Sequence, residues 1–325
     1  MSESILLLSP AIGTSNLGDE IIMECVKKEL EPIIGNRFVY YLPTHVSSFH
    51  WYQVLRNSTA VQTYADCIYK FVGGSNLLVK NMLTHYPQWN INLFNSRPFR
   101  GSILVGVGAG AGEKTNYYTR RLYRNILSDD VYHSVRDERS KVFVESLGLK
   151  AINTGCVTMW CFTPEFCRMI PNHKASRVVF TLTSYSPDPV HDQALVDILI
   201  RNYKKVYFWV QDAEDLTYLQ RLKGISDIEI ISPVTIAYDR LLQEDDIDYV
   251  GTRLHAGIYA MRHKKRSIII VIDERAREIN KSNKIICMER SEVSDALEPL
   301  IQSTFSTRIR MPFDDIRFWK SQFFK

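Results

Sequence analysis

The sequence predicts an α/β protein built from two doubly wound, Rossmann-like halves whose parallel sheets face one another across a cleft. Three observations predict this. Short apolar runs alternate with amphipathic stretches along the whole chain. Glycines gather where the runs end, as at Gly73–Gly74 and Gly251. The alternation lapses once, over 154–176, where Pro164 and Pro171 interrupt it, and then restarts. At 325 residues the chain is long for one core and natural for two domains. The expected division is a first domain over 1–155, a crossing over 156–176, a second domain over 177–304 and a tail over 305–325.

Residues 4–9 form a continuous apolar run, as in a strand buried on both faces. The turn 13–19, carrying Gly13 and Gly18, leads into a helix whose core side is Ile22, Cys25, Val26 and Leu30. Asp19 stands at its start, where a carboxylate caps free N–H groups. Strands are expected at 37–42, 66–72, 102–107, 131–135 and 151–153. Between them lie a helix or loop at 47–56, a long loop and helix over 86–100, and helices at 117–127 and 140–147, the last closed by Gly148. The second half pairs strand 178–183 with helix 192–202, strand 206–210 with helix 214–222, and strand 228–231 with helix 236–242. Strand 249–251 runs directly into helix 256–262. Strands 267–272 and 284–288 and a helix over 291–301 complete the pattern. The tail places Ile316, Phe318, Trp319, Phe323 and Phe324 among Arg317, Lys320 and Lys325. That pattern suits either a helix lying on a membrane surface or one packing its aromatics back onto a domain.

A formal net charge of +4 suits an anionic small substrate or an anionic membrane surface. It is too weak to argue for nucleic acid, and no nucleic-acid motif appears, so that partner class is set aside. The six cysteines form no C-x-x-C pair, and Cys156, Cys161 and Cys167 have no histidine at ligand spacing. No metal site is therefore expected, and free thiols in a reducing compartment are the simpler reading. The start of the chain lacks a basic segment before its apolar run, and 268–272 is too short to span a bilayer. The expectation is a cytoplasmic protein with at most peripheral membrane contact.

Chemistry concentrates at the strand–helix junction 248–261. Arg253 offers a fork for carboxylate or phosphate, His255 a proton near neutral pH, and the following helix its N–H groups. The same residues equally suit an arginine pairing with a core carboxylate and a histidine at a helix start. Arg136-Asp137 ends a strand in the other half and reads as a second anion clamp or as a local ion pair. Asn16 and Asp19 suit sugar hydroxyls or a base, and equally a turn and a cap. The run beginning Gly106-Val107-Gly108-Ala109-Gly110 imitates a dinucleotide fingerprint, but it follows the fourth strand and the next strand ends at Arg136 rather than at an acid. A tight turn is the simpler role. In 273–278, Arg275 and Arg277 either reach the cleft or belong to a solvated charge run.

Four pieces in order resemble the polysaccharide pyruvyltransferase family: Asn16-Leu17-Gly18-Asp19-Glu20, Val72-Gly73-Gly74-Ser75-Asn76-Leu77, Ser134-Val135-Arg136-Asp137-Glu138-Arg139-Ser140 and Gly251-Thr252-Arg253-Leu254-His255-Ala256. The chain departs from the family pattern in having Ser75 where a third glycine is usual, and Arg275 and Arg277 where a lysine is common. The resemblance implies a fold similar to GT-B glycosyltransferases. It implies phosphoenolpyruvate as donor and no cofactor. The implied acceptor is a sugar, often galactose, in a surface glycan or its lipid-linked precursor, and the product a pyruvate ketal. It further implies catalytic roles for Arg253 and His255. Asp19 is added as a base or hydroxyl partner, with Arg136, Asn16, Gly73, Gly74, Ser75, Asn76, Leu254, Arg275 and Arg277 as substrate-binding candidates. A nucleotide-sugar glycosyltransferase of similar shape and a non-catalytic glycan-binding protein are the competing expectations.

Overall fold

A computed structural model describes residues 3–56, 58–84, 88–110 and 114–324, with the side chain of Arg275 outside the description. The chain divides into two compact units: Met1–Thr14, Ile22–Trp160 and Pro312–Lys325 form one, and Ser15–Ile21 and Cys161–Met311 the other.

In the first unit, strands β1 (Ser4–Ser9), β2 (Phe38–Pro43), β3 (Tyr69–Gly73) and β4 (Ser102–Val105) form a parallel sheet in the order β2-β1-β3-β4. β1 is central and almost wholly buried, as its unbroken apolar run requires. Strands β5 (His133–Val135) and β6 (Ala151–Asn153) pair with each other, and a parallel bridge from Val107 to Val135 ties them to the extension of β4. The core gathers Leu6, Leu8, Val72, Leu104, Leu122 and Val144. Helix Phe313–Ser321 belongs here. It buries Ile316 and Trp319, with Phe323 buried just past its end, and Trp319 Nε1 donates to the Tyr132 carbonyl (2.8 Å). The tail thus packs Trp319 and Phe323, while Phe318 and Phe324 stay exposed.

The second unit is a six-stranded parallel sheet. Its strands are β7 (Arg177–Thr181), β8 (Lys205–Trp209), β9 (Ile228–Ile231), β10 (Ile247–Gly251), β11 (Ser267–Val271) and β12 (Cys287–Glu289), in the order β12-β11-β10-β7-β8-β9. This is the dinucleotide-fold order, with its reversal between β7 and β10, and such sheets bind ligands beyond the carboxyl ends of the strands at that reversal. The core of Val178, Phe180, Leu199, Phe208, Val250 and Ile268 fixes those ends.

Several expectations change. Residues 15–21 group with the second unit, because Leu17 N–H bonds the Gln211 carbonyl (2.9 Å) and Asn16 bridges Asp212. The crossing splits at Trp160 and Cys161, and the 305–325 tail splits at Met311 and Pro312. The charge run after Asp273 is a helix, Glu274–Asn283, with Asp273 capping the Ala276 N–H (2.9 Å). Within 86–100 the described residues contain one short 3₁₀ turn, Arg97–Phe99. Among the described residues, no helix is long and apolar enough to cross a membrane, and no three His, Cys, Asp or Glu side chains gather to hold a metal.

Candidate active site

Three neighbouring strand ends of the second unit, from β10, β7 and β8, converge on Arg253. Its backbone N–H reaches Thr181 Oγ1 (3.2 Å), and Tyr249 hydroxyl donates to its carbonyl (2.8 Å). Its Nε donates to the Leu182 carbonyl (3.2 Å) and to Asp215 Oδ2 (3.0 Å), and its Nη2 donates to Asp215 Oδ1. Asp212 Oδ2 lies 3.9 Å from the same Nη2. Asp215 is fully buried and also accepts the backbone N–H groups of Ser184 (3.0 Å) and Asp212 (3.1 Å). The exposed Tyr185 ring lies 5.1 Å from the guanidinium carbon. Arg253 is therefore first an ion-paired arginine with a core carboxylate, held edge-on. Among the described residues Nη1 has no hydrogen-bond partner, so the edge turned from Asp215 is the one able to receive an anion.

Arg253 is also the N-cap of helix Leu254–Arg262, which opens with Leu254 and His255, both buried. The first N–H groups of this helix lack intrahelical acceptors and lend positive potential to the switch point. The Asn16 turn folds onto the same place. Asn16 Oδ1 accepts the Gly18 N–H (2.9 Å) and Gln211 Nε2 (2.8 Å), so Asn16 caps the turn that opens the helix. A Cβ on Gly18 would stand 3.0 Å from Asn16 Oδ1 and Gln211 Nε2 and 3.5 Å from His255 Nδ1. The glycine is what lets His255 and Gln211 approach the turn. Asp19 follows, buried, its N–H on the Asn16 carbonyl (3.1 Å).

Arg136 and residues 73–76 belong to the first unit. Arg136 Nη2 donates to Asn76 Oδ1 (3.2 Å) and Nε to Asp137 Oδ2 (3.1 Å), while Asp137 caps the next helix through the Ser140 N–H (2.7 Å). The local ion pair is thus present. Gly108 leaves the room this guanidinium fills, since a Cβ there would stand 2.4 Å from it. Gly73 and Gly74 have a packing role of their own. A Cβ at Gly73 would meet Met23 Sδ at 2.4 Å and one at Gly74 would meet Ile22 Cγ2 at 2.1 Å, so helix packing requires these glycines. Ser75 takes φ +60°, a left-handed conformation that favours glycine. Arg277 is taken up by local ion pairs. Its fork grips Glu289 (2.9 and 2.8 Å) and one arm also reaches Glu274 (3.3 Å) on an exposed helix face. The Arg275 side chain lies outside the described residues. The sequence reading missed Gln211, Asp212, Asp215, Thr181 and Tyr185. Their only sequence signal is position, at or just past the ends of β7 and β8.

A family model of polysaccharide pyruvyl transferase matches residues 16–274, a span containing both the Asn16 turn and Arg253-Leu254-His255. The chain belongs to the polysaccharide pyruvyl transferase family. It is accordingly a transferase, and its chemistry belongs to polysaccharide biosynthesis. No curated protein matches the chain. Among solved structures, it is similar to UDP-GlcNAc 2-epimerase of Methanocaldococcus jannaschii in complex with UDP-GlcNAc and UDP (12% identity, TM-score 0.52, all of both chains). It is also similar to S. aureus MnaA with UDP (11% identity, TM-score 0.54, 98% of this chain and 94% of that one). A third is the Neisseria meningitidis UDP-GlcNAc 2-epimerase bound to UDP-GlcNAc (10% identity, TM-score 0.50, 99% of each). At such identities the likeness shows the fold: α/β with parallel sheets, of the GT-B-like class that the family member's sequence predicts.

Proposed function

We propose that the protein transfers the enolpyruvyl group of phosphoenolpyruvate to two hydroxyls of a sugar, galactose being the first candidate, to form a cyclic pyruvate ketal and release phosphate. The observation that carries this reading is the meeting of Arg253, His255 and the Asn16 turn at the strand-order reversal of the second unit. Ketal formation needs a proton at C3 of the enol, which leaves C2 cationic. One sugar hydroxyl then attacks C2 and loses its proton, the C2–O bond to phosphate breaks, and the second hydroxyl closes the ring and loses its own. One of the two hydroxyl protons balances that added at C3 and the other leaves on phosphate.

In this proposal His255 delivers the C3 proton. The free edge of Arg253 and the N–H groups opening its helix hold the donor's anionic groups. Asp215 already partners Arg253, so the guanidinium acts as an oriented donor more than as a bare positive charge, and the helix N–H groups must share the load. Asp19 or Asn16 accepts from the acceptor hydroxyls, and Arg136 is an anion clamp of the first unit. No cofactor is called for by this chemistry.

The test is to offer the protein phosphoenolpyruvate with a galactoside, and separately a UDP-sugar with the same acceptor. Phosphate release coupled to acceptor consumption in the first mixture is expected. Transfer only in the second would replace this reading with a nucleotide-sugar glycosyltransferase.

A further inference from the structure

Residues 182–188 join β7 to helix Pro189–Asn202, and Tyr185 stands at their middle. The backbone is pinned on both sides of it. Before it, the Leu182 carbonyl accepts Arg253 Nε (3.2 Å) and the Ser184 N–H donates to Asp215 Oδ1 (3.0 Å). After it, the Ser186 N–H donates to the Thr183 carbonyl (3.2 Å), and the Ser186 carbonyl accepts Arg290 Nη1 (2.7 Å). The Asp188 N–H donates to the Tyr218 hydroxyl (2.9 Å) and to Asp192 Oδ2 (3.3 Å), and that hydroxyl donates in turn to Asp192 Oδ2 (2.6 Å).

The side chains that hold this loop are polar and buried. Asp192, Asp215, Tyr218 and Arg290 are each more than nine-tenths buried. Arg290 reaches the loop from 104 residues away, just past the end of β12. Its Nε lies 3.7 Å from Asp192 Oδ1, too far for a hydrogen bond. Among the described residues, neither Nε nor Nη2 of Arg290 has a hydrogen-bond partner, although both atoms are buried. Burying a guanidinium in this state costs stability. What it secures is the Ser186 carbonyl, and with it the course of the loop. Yet the side chain at the loop's middle takes little part in the core. Tyr185 is 60% exposed, and its ring lies 5.1 Å from the guanidinium carbon of Arg253. A fold gains little from fixing an exposed ring with buried polar groups. An anion site gains more: the ring covers one face of the guanidinium and keeps water from it, while the Nη1 edge stays open.

We propose that Tyr185 is a donor-binding residue, its ring forming an apolar wall for the planar enol of the donor beside Arg253, and that Arg290 is the positioning residue that keeps the ring there. The proposal rests on the pyruvyl-transfer reading for the identity of the donor.

The test combines titration calorimetry with phosphoenolpyruvate and initial rates with phosphoenolpyruvate and a galactoside. Wild type, Tyr185→Phe, Tyr185→Ala, Arg290→Met and the Tyr185→Ala/Arg290→Met pair are compared. Tyr185→Ala is expected to weaken phosphoenolpyruvate binding and raise its KM about tenfold, with the melting temperature and the galactoside KM unchanged. Tyr185→Phe should stay within about twofold of wild type, because the ring and not the hydroxyl is used. Arg290→Met should show the same loss as Tyr185→Ala, and the pair no further loss, since both act through one ring. A merely structural arginine would give the same loss in both backgrounds. Should Arg290→Met fail to fold, Arg290→Lys takes its place in the comparison, with a smaller loss that again vanishes beside Tyr185→Ala. Full phosphoenolpyruvate affinity in Tyr185→Ala, a tenfold loss in Tyr185→Phe, or additive losses in the pair would each overturn the proposal. If wild type turns phosphoenolpyruvate over and Tyr185→Ala does so equally well, the proposal falls and the pyruvyl-transfer reading stands. If phosphoenolpyruvate binds, binds more weakly to Tyr185→Ala and is never turned over, the assignment of Tyr185 stands and the pyruvyl-transfer reading falls. Phosphoenolpyruvate neither bound nor turned over removes both.

Discussion

Asp215 holds Arg253 by two side-chain contacts at a place where both are buried, 38 residues apart in sequence. This pair decides which edge of the guanidinium is available. Asp215→Asn keeps the shape but removes the charge, and is expected to lower stability by about 3 kcal/mol, the scale of a broken buried pair. kcat/KM should fall about a hundredfold, the effect of mispositioning a clamping group. Arg253→Lys should not restore it, because an ammonium cannot keep the fork. The double replacement Asp215→Leu/Arg253→Met should recover most of the melting temperature and none of the activity. Recovery of both would make the pair structural only.

Gly18→Ala places a methyl 3.0 Å from Asn16 and Gln211 and 3.5 Å from His255. The backbone there is ordinary, and alanine favours a helix, so stability should change by less than about 1 kcal/mol. Activity should drop about tenfold through displacement of His255 or the turn. Steady-state kinetics beside thermal melts check this. Unchanged kinetics would separate the turn from the reaction.

Ser75 occupies left-handed backbone, a conformation that favours glycine. Ser75→Gly is expected to stabilise the chain by about 1 kcal/mol, and Ser75→Val to destabilise it by more. Chemical denaturation of the two variants reads the difference.

His133 makes stability depend on pH. It is fully buried. Its Nδ1 accepts the Leu104 N–H (3.2 Å), and its Nε2–H donates to the Ser128 carbonyl (2.9 Å). A backbone N–H can only donate and a carbonyl only accept, so the folded chain holds the neutral Nε2–H form. Burial pushes its pKa down from 6.5 to about 4, against the opposing pull of Ser128. Between those values the unfolded chain binds the proton and the folded chain does not, so stability falls as pH drops through that window. The loss is on the order of 3 kcal/mol by pH 4. Urea titrations from pH 7 to 4 should show it, and His133→Gln should flatten the slope.

Trp319 is buried, ringed by Phe71, Trp160 and Phe323. Trp319→Ala should cost about 3–5 kcal/mol. Vesicle sedimentation should show no change, since the ring is committed to the core. Loss of vesicle binding without loss of stability would restore the membrane reading of the tail.

The sheets were readable because buried parallel strands are unbroken apolar runs, as at Ile5–Leu8 and Ile268–Val271, and because glycines mark where helices close onto strand ends. Arg253, Leu254 and His255 stood out through their place at a strand–helix junction. Asp215 did not. In Asp212-Ala213-Glu214-Asp215 it reads as one more solvated acid, and only the long-range contact to Arg253 buries it. Helix Glu274–Asn283 was hidden for a related reason. Its charged face resembles a solvated loop, and its cap, Asp273, looked like part of the same run. The displacement of the Asn16 turn into the second unit was also illegible, since it rests on pairing with Gln211 and Asp212 across 195 residues for Asn16 and Gln211.

The central claim is tested most directly by counting products. The chain is incubated with phosphoenolpyruvate and a galactoside, and phosphate and the mass of the sugar are followed together in wild type and in His255→Ala of equal melting temperature. The account predicts one pyruvyl ketal per phosphate in wild type and neither product in the variant. Phosphate release without a ketal, or a ketal formed at full rate by His255→Ala, would contradict it.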